Sequence, residues 1–298
     1  DVYKRQARNI TLATLGAAVA VLAVVLLDGP MQTPASLPFL GLWFDRLSAI
    51  MFVLVSFVGT IVVTYSRNYM AGDDGHGRFT RLLALTLGSV LMLIISGNLA
   101  QFLAFWALTS LGLNQLLLFY RERPAAVLAA RKKSISNIIG LFCISVALGI
   151  LHQTFGSLDF GTLFAGARAI AAGGETPVAL HVAAAMFVIA ALLKSAQFPM
   201  HGWLIEVMET PTPVSALLHA GIINAGGFLL LRFSDFVTLS LPSMDALALL
   251  GGFTALFGSV VMLTQSSIKV SLAWSTIAQM GFMMLQCGLG AWPAALLH

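Results

Sequence analysis

The sequence predicts an all-α fold, a polytopic transmembrane helix bundle with one broken, discontinuous helix around Lys194–Pro199. The first observation is composition: 58% of the residues are hydrophobic and 9% are charged, whereas soluble domains carry about 25% charged residues. The second is a series of apolar runs long enough to cross a bilayer, none of which alternates as a barrel strand would. The third is a lysine inside one of these runs, followed by a proline.

The apolar runs predict about nine membrane spans and the start of a tenth near Pro293. Each run is expected to be one helical crossing, with ends that are uncertain by a few residues. The runs lie at 10–27, 47–65, 82–96, 99–119, 135–151, 181–198, 213–231, 246–264 and 270–289.

The run at 181–198 contains Lys194, which we expect to be the one basic residue inside a hydrophobic span. A buried ammonium costs several kcal/mol unless it is neutralised, hydrated or partnered, so such a lysine indicates a functional site. Pro199 removes a backbone donor and clashes with the preceding turn. Gln197 and Pro199 therefore mark the predicted helix break, which membrane proteins tolerate where it lines protein or a water-filled cavity.

The next run opens at Thr212-Pro213, an N-cap residue followed by proline at the first helical position, and it carries His219. At 1.5 Å per residue, Lys194 lies roughly 20 Å past His181 and His219 lies roughly 9 Å from the opposite face. These depths are similar in a hydrocarbon core about 30 Å thick. The arrangement favours a proton path through Lys194 and His219; the alternative is a snorkelling lysine and a hydrogen-bonded histidine.

Two longer motifs carry a family resemblance. The segment LKSAQFPMHGWLIEVMETPTPVSALLHA (193–220) resembles the broken-helix segment of the antiporter-like membrane subunits of respiratory complex I and of multisubunit cation/proton antiporters. SSIKVSLAWSTIAQMGFM (266–283) is similar to a later helix of the same superfamily. The resemblance covers about residues 43–298, and it implies inverted five-helix repeats.

The resemblance extends the expected proton path to two more residues. His298 matches the first of two histidines on a later helix of the family. Lys269 follows Ser266-Ser267 at a predicted helix start, and it is either the mouth of the path or a surface anchor.

One helix resembles a particular branch of this superfamily. FWALTSLGLNQLLLFYRERPAAVLAARKK (105–133) is similar to the B subunit of Dab-type inorganic carbon transporters. Proton-pumping relatives carry a glutamate directly after the tryptophan of this helix, whereas this chain has Trp106-Ala107. No Asp or Glu lies in the middle of a predicted span, so we expect the carboxylate that pairs with this lysine in the family to be absent from the spans. The resemblance implies a soluble A subunit, similar to a β-carbonic anhydrase, as partner.

Three functional hypotheses follow. The favoured one is a proton-conducting subunit, in the lipid bilayer of a bacterial inner membrane, that energises bicarbonate or CO2 uptake with the carbonic-anhydrase-like partner. The alternative is an antiporter-like subunit of NADH-quinone oxidoreductase (complex I) or of a cation/proton antiporter, with the other subunits of that assembly as partners. A third, of another class, is a structural membrane anchor for a soluble catalytic partner.

No other motif in the sequence indicates an enzyme active site, a metal site or nucleic-acid binding. We expect no enzyme activity, cofactor or metal site, since the spacing of His201, Glu206 and Glu209 fits no standard metal site. Nucleic-acid binding is not expected, because no basic stripe with interleaved aromatics occurs. Cys143 and Cys287 lie in apolar runs and are expected to be core residues.

Both ends of the chain look artificial. DVYKRQ resembles the translation of a sequencing-library adaptor, and the chain stops inside a new apolar run. The expected organisation is therefore an artefact at 1–6 followed by a fragment of a proton-conducting membrane domain at 7–298.

Loop charges predict the orientation in the membrane. Taking each run as one crossing, the Lys and Arg residues divide nine to three between the two sides. The dense cluster Arg131-Lys132-Lys133 is interpreted as a surface topology anchor rather than a lipid or partner site. The nine are Arg67, Arg78, Arg81, Arg121, Arg123, Arg131, Lys132, Lys133 and Lys269, and the three are Arg46, Arg168 and Arg232.

This bias predicts that the loops at 66–81 and 120–134 face the cytoplasm. A cysteine introduced as Arg131→Cys in the full-length parent should react with a membrane-impermeant thiol reagent only after the cells are opened. Arg168→Cys, on the opposite predicted side, is the control and should react in intact cells. Labelling of residue 131 from outside intact cells would contradict the orientation.

Overall fold

The computed structural model describes residues 2–32, 41–120, 124–173, 175–207 and 211–298. Three charged residues of the sequence argument, Arg121, Arg123 and Glu209, lie outside these ranges. The described residues are helical almost throughout, apart from a short antiparallel pair formed by β1 (Met31–Gln32) and β2 (Trp43–Phe44). The predicted all-α membrane fold is confirmed.

Within the described ranges, six helices are long and apolar enough to cross a membrane: Gln6–Asp28, Arg46–Tyr69, His76–Ile94, Ala126–Phe155, Leu241–Leu263 and Ile268–Gly288. The helix Val178–Lys194 is apolar but shorter. The helices are α1 (Val2–Asp28), α2 (Arg46–Tyr69), α3 (His76–Ile94), α4 (Leu99–Leu117), α5 (Pro124–Phe155), α6 (Phe160–Gly173), α7 (Val178–Lys194), α8 (Gly202–Glu206), α9 (Thr212–Leu217), α10 (Ala225–Arg232), α11 (Ser234–Val237), α12 (Leu241–Leu263), α13 (Ile268–Gly288) and α14 (Trp292–Leu297).

The chain forms two compact units. The first comprises residues 1–123 and 210–222, and the second comprises 124–209 and 223–298. Within the first unit α1 packs on α2 and α3 packs on α4. Within the second, α5 packs on α7, and α12 forms a long hairpin with α13.

Local hydrogen bonds define the helix ends of the first unit. The Asp45 carboxylate accepts from the Ser48 backbone N–H at 2.8 Å and caps α2. In the loop between α2 and α3, Asp73 accepts from the Tyr120 hydroxyl and from the Gly75 N–H, each at 2.7 Å. These two bonds, with the Tyr120 bond first, hold the pKa of Asp73 below its ordinary value. They also attach this loop to the residues that follow α4.

The prediction of a surface loop around residue 133 is wrong. α5 begins at Pro124, and the Lys133 side chain is 0% exposed. Ala126, Ala129 and Ala130 are buried on the same stripe, because residues three and four apart share one helix face. The expectation that Lys194 is the one basic residue inside a span is also wrong, because Lys133 is buried within the candidate span Ala126–Phe155.

Two further boundaries differ from the apolar runs. The run at 181–198 ends as a helix at Lys194. The run at 213–231 is not one α-helix, since α9 passes into a π-helical turn at Leu218–Ile222 before α10 begins. Arg232, counted above as a loop charge, is buried at the last position of α10. Single π-helical turns of this kind frequently occur at functional sites.

Glycines allow the two helices of the long hairpin to approach closely. A Cβ on Gly251 of α12 would lie 2.5 Å from the Leu285 nitrogen and 2.8 Å from the Gly281 oxygen. A Cβ on Gly281 of α13 would lie 2.5 Å from the Ala255 nitrogen. Small residues at such positions let helix backbones meet, which is how membrane helices pack without a hydrophobic driving force.

Gly251→Ala should therefore destabilise the protein by about 1–3 kcal/mol, because the added methyl group meets backbone atoms. Gly252→Ala is the matched control. Its Cβ would lie 3.6 Å from the Leu285 side chain, and it should be neutral or stabilising by up to about 1 kcal/mol through helix propensity. The measurement is thermal unfolding of the purified protein in detergent. Equal melting temperatures for the two variants would contradict the close approach.

Candidate functional site

Lys194 is the last residue of α7, and its residue surface is 5% exposed. The C-terminal end of a helix favours a cation, because the last carbonyl groups carry partial negative charge. α10 crosses α7 close to this point, since a Cβ on Gly226 would lie 2.6 Å from the Ala191 oxygen. The Ser195 hydroxyl donates to the Ile223 carbonyl at 3.0 Å. Lys194 thus lies at a tightly packed helix end inside the second unit.

The connector, defined as residues 195–201, leads from α7 to α8. Ala196 has a positive φ of 51°, and the Gln197 N–H donates to the Leu192 carbonyl at 3.0 Å. The Phe198–Pro199 peptide bond is cis, and the Phe198 N–H donates to the Thr254 hydroxyl at 3.2 Å. The backbone therefore leaves the helix before Pro199 is reached. That α7 and the five-residue α8 form two halves of one broken membrane helix stays a prediction.

Gln197 is 1% exposed, and its side-chain amide donates to the Ser195 carbonyl at 2.9 Å. Its Oε1 atom is buried without a hydrogen-bond partner within the described part of the chain. A buried acceptor left without a partner costs about 1–3 kcal/mol, so few of them occur in native structures.

Aromatic side chains hold the connector against α12 and α13. The Phe198 ring lies 4.9 Å from Phe253 and 5.6 Å from Phe257. The His201 ring lies 5.1 Å from Trp274 of α13. Trp274 is buried. These ring contacts fix the direction in which the chain enters α8.

The structure adds Lys133 to this site, a residue that the sequence argument assigned to the surface. The Lys133 ammonium lies over the Trp203 ring of α8, with Nζ 3.7 Å from the ring centroid. Trp203 is 2% exposed, and a desolvated cation–π contact of this kind contributes about 2 kcal/mol or more. Among the described residues the Lys133 Nζ has no hydrogen-bond partner. α5, the helix of Lys133, packs on α7, the helix that ends at Lys194.

Lys132 provides a second contact between α5 and α8, through an ion pair with Glu206. The Lys132 side chain is 48% exposed, so the pair is worth about 0.2–1 kcal/mol. Two consecutive lysines therefore hold α8, one at the surface and one in the interior.

The other predicted site residues lie elsewhere. His219 is half-buried in the π-helical turn of the first unit. Lys269, the second residue of α13, is exposed. His298 is also exposed, and its ring lies 6.1 Å from that of Phe282. Their place in a proton path stays a prediction. Lys133 and Lys194 both lie in the second unit.

Metal-ligating residues do not cluster. Across the described ranges, no group of three His, Cys, Asp or Glu side chains is placed to hold a metal ion. Cys143 and Cys287 are buried free thiols, as the sequence predicts.

Comparison with protein families gives two matches. Residues 96–298 match the family described as NADH:quinone oxidoreductase/Mrp antiporter, TM. Residues 36–80 match the family described as NADH-ubiquinone oxidoreductase (complex I), chain 5 N-terminus. The resemblance to the antiporter-like superfamily, predicted from two motifs, is confirmed.

Curated relatives include two inorganic carbon transporter subunits. The probable inorganic carbon transporter subunit DabB2 of Halothiobacillus neapolitanus is 44% identical over 99% of this chain and 55% of its own length. The probable subunit DabB of Hydrogenovibrio crunogenus is 42% identical over 87% of this chain and 50% of its own length. NAD(P)H-quinone oxidoreductase chain 5 of Synechocystis sp. is 39% identical over 87% of this chain and 38% of its own length. The chain thus spans about half the length of the two transporter subunits.

The fold is also found in a solved structure. A chain of the Mrp complex from Dietzia sp. superposes with a TM-score of 0.82 and 27% sequence identity, covering 98% of this chain and 32% of that one. The family match covers well over half of the described residues and includes α5, the connector and both buried lysines. The protein is therefore a multi-pass membrane protein that belongs to the NADH:quinone oxidoreductase/Mrp antiporter family.

Proposed function

We propose that this chain is part of a membrane subunit that conducts protons and thereby energises the uptake of inorganic carbon. The observation that carries the proposal is the 44% identity, over 99% of the chain, with a relative named as an inorganic carbon transporter subunit. A second feature agrees with it. The helix of Trp106 carries Ala107 where proton-pumping relatives are expected to carry glutamate, and Trp106 is buried against Phe102 with ring centroids 5.9 Å apart.

Lys194 is the proposed proton carrier. A buried lysine lowers stability relative to a well-packed apolar side chain, so a subunit that served as an anchor alone would gain by replacing it. An amine can bind and release a proton, and the end of α7 supplies partial negative charge to stabilise the protonated form. His219, Lys269 and His298 are the further polar groups proposed for the path, and Gln197 and Pro199 belong to the connector that interrupts the helix.

The relatives are named as subunits or as parts of complexes, which supports partner subunits for this chain. We assign it a soluble, carbonic-anhydrase-like A subunit as partner and the bacterial inner membrane as location. In this proposal the membrane subunit conducts protons, and the partner subunit hydrates CO2. The chain itself carries no cofactor in this proposal.

A second candidate function is an antiporter-like subunit of a quinone oxidoreductase. The 39% identity with NAD(P)H-quinone oxidoreductase chain 5 of Synechocystis sp. favours it. The pair Trp106-Ala107 counts against it, because coupling in that class is expected to use a lysine with a carboxylate partner. The structural anchor remains the alternative of another class, and the Lys194 variants below separate it from both transport functions.

Lys194→Met in the full-length parent should lower proton-coupled uptake at least tenfold without loss of membrane insertion, because the thioether packs like the lysine stem and binds no proton. Lys194→Arg should fail as well, since arginine stays protonated and passes no proton on. The measurement is uptake of labelled inorganic carbon relative to the amount of inserted protein. Arg81→Met, at an exposed position outside the proposed path, is the control for loss of a positive charge alone and should retain uptake. Wild-type uptake in Lys194→Met would leave the anchor function standing.

The partner proposal is tested by co-purification. The full-length parent, tagged and expressed with the gene of its carbonic-anhydrase-like neighbour, should retain a soluble zinc-containing protein and should allow a carbonic-anhydrase-deficient host to grow in air. Neither gene expressed alone should allow growth in air. Absence of both effects, with both proteins well expressed, would favour the quinone oxidoreductase function.

A further inference from the structure

A cavity of about 140 Å³ lies between α1, α2 and α3, all of which belong to the first unit. Its walls are largely apolar and include Ile10 of α1, Val63 of α2 and Leu87 of α3. Ile10 is 62% exposed, so the cavity opens as a groove on the outer surface of these three helices. Only 11% of the most apolar stretch of α1 is buried, which makes α1 a peripheral helix of this unit.

Small residues of α3 leave the space that forms the groove. Ala84 and Gly88 lie one turn apart on α3, and both line it. A Cβ on Gly88 would have no heavy atom within 4 Å, so no neighbouring side chain fills the space beside this glycine. Gly251 differs, because its Cβ would meet backbone atoms of α13. An unfilled space costs its walls the van der Waals contacts that an occupant would supply.

The polar groups on the walls are poorly suited to water. Thr14 and Thr80 donate their hydroxyls to the carbonyls of Ile10 and His76 in their own helices, at 2.8 and 3.0 Å. The Ser56 hydroxyl is buried and has no hydrogen-bond partner among the described residues, so it offers one free donor. A buried water typically makes about three hydrogen bonds, and apolar cavities stay dry. An apolar occupant therefore fits the groove better than water.

The length of the groove matches one leaflet of a bilayer. On α3 the groove extends from Thr80 to Leu91, roughly 16 Å at 1.5 Å per residue. Half of a hydrocarbon core about 30 Å thick is about 15 Å, the depth that one acyl chain occupies. The groove starts one turn into α3, beside the loop between α2 and α3. That loop is the one predicted to face the cytoplasm, so the matching leaflet is the cytoplasmic one.

Arg8 lies at the same end of the groove, directly after the lining residue Ala7. The Thr60 hydroxyl donates to the Thr11 carbonyl at 3.2 Å, which fits an α2 antiparallel to α1, so α1 and α3 begin at one end. Side chains on a helix tilt towards its N-terminus, and a long arginine stem carries its charge to the interface. In the described part of the chain, the Arg8 Nε is buried without a hydrogen-bond partner, and Arg8 forms no ion pair.

We propose that the groove binds one acyl chain of a glycerophospholipid from the cytoplasmic leaflet, and that the phosphate of this lipid pairs with Arg8. The chain fills the space beside Gly88, and the guanidinium matches the phosphate oxygens in charge and geometry. The lipid thereby attaches the peripheral helix α1 to α2 and α3. The site does not depend on the transport function proposed above, because it uses none of the residues of the proton path.

The test is photo-crosslinking of the purified full-length parent in dodecyl maltoside. The probe is a phosphatidylglycerol with a diazirine in the middle of one acyl chain, and mass spectrometry locates the labelled peptides. Labelling should concentrate in segments 7–14 and 80–91. Excess unlabelled phosphatidylglycerol should lower this labelling by about fivefold or more, because it offers the charge-assisted bonds to Arg8. Diacylglycerol, which has the same chains and no phosphate, should lower it by less than about twofold.

Variants separate the chain from the headgroup. Gly88→Leu and Ala84→Leu each place a side chain in the groove, so labelling should fall by about fivefold or more. Gly16→Leu is the matched control, since its Cβ also has no neighbour within 4 Å and Gly16 does not line the groove; labelling should stay within about twofold. Arg8→Gln should abolish the difference between the two competitors. Arg46→Gln, at the opposite end of α2, should preserve it.

Three results would overturn the proposal. Labelling of segment 80–91 that both filling variants leave unchanged would show general contact with lipid or detergent rather than a chain in the groove. Equal competition by phosphatidylglycerol and diacylglycerol in the parent would exclude the pairing of phosphate with Arg8. Absence of labelling in both segments would show that another part of the full-length parent covers the groove.

Discussion

The burial of two lysine side chains in an apolar bundle is the constraint on which the second unit depends. Removing an ammonium from water costs several kcal/mol, so the fold has to provide a substitute for the lost hydration. For Lys133 the substitute is the face of Trp203, 3.7 Å from its Nζ. For Lys194 it includes the carbonyl end of α7. Both need α7 to end at Lys194 and the chain to return to α5 as α8.

The connector meets this requirement through fixed contacts. Gln197 and Phe198 donate their backbone N–H groups to Leu192 and Thr254, and the ring of Phe198 packs against α12. These contacts hold the end of α7, and with it Lys194, in a defined position. The rings of Phe198, Phe253 and Phe257 pack together beside the end of α7. Aromatic side chains suit this position because each buries a large apolar area.

An aromatic ring in place of a carboxylate changes the electrostatics of such a site. The Lys133 ammonium over the Trp203 ring replaces part of the hydration that a buried charge loses. No carboxylate is needed for this contact, because the attraction comes from the ring quadrupole.

The sequence by itself determined the membrane class, the helical fold, the approximate spans and the family, because hydropathy and local motifs carry that information. It also indicated Lys194 as a candidate site residue, which stays a prediction. The stripe of Ala126, Ala130 and Lys133 at helical spacing was also present in it, and it could have indicated that α5 begins early. Only the tertiary structure decided that Lys133 is buried, since its burial depends on Trp203, which reaches α5 after the chain has reversed in the connector. The end of α7 was decided in the same way, by the left-handed backbone of Ala196 and the bond from Phe198 to Thr254. Such contacts join residues distant in sequence, and no local pattern specifies them.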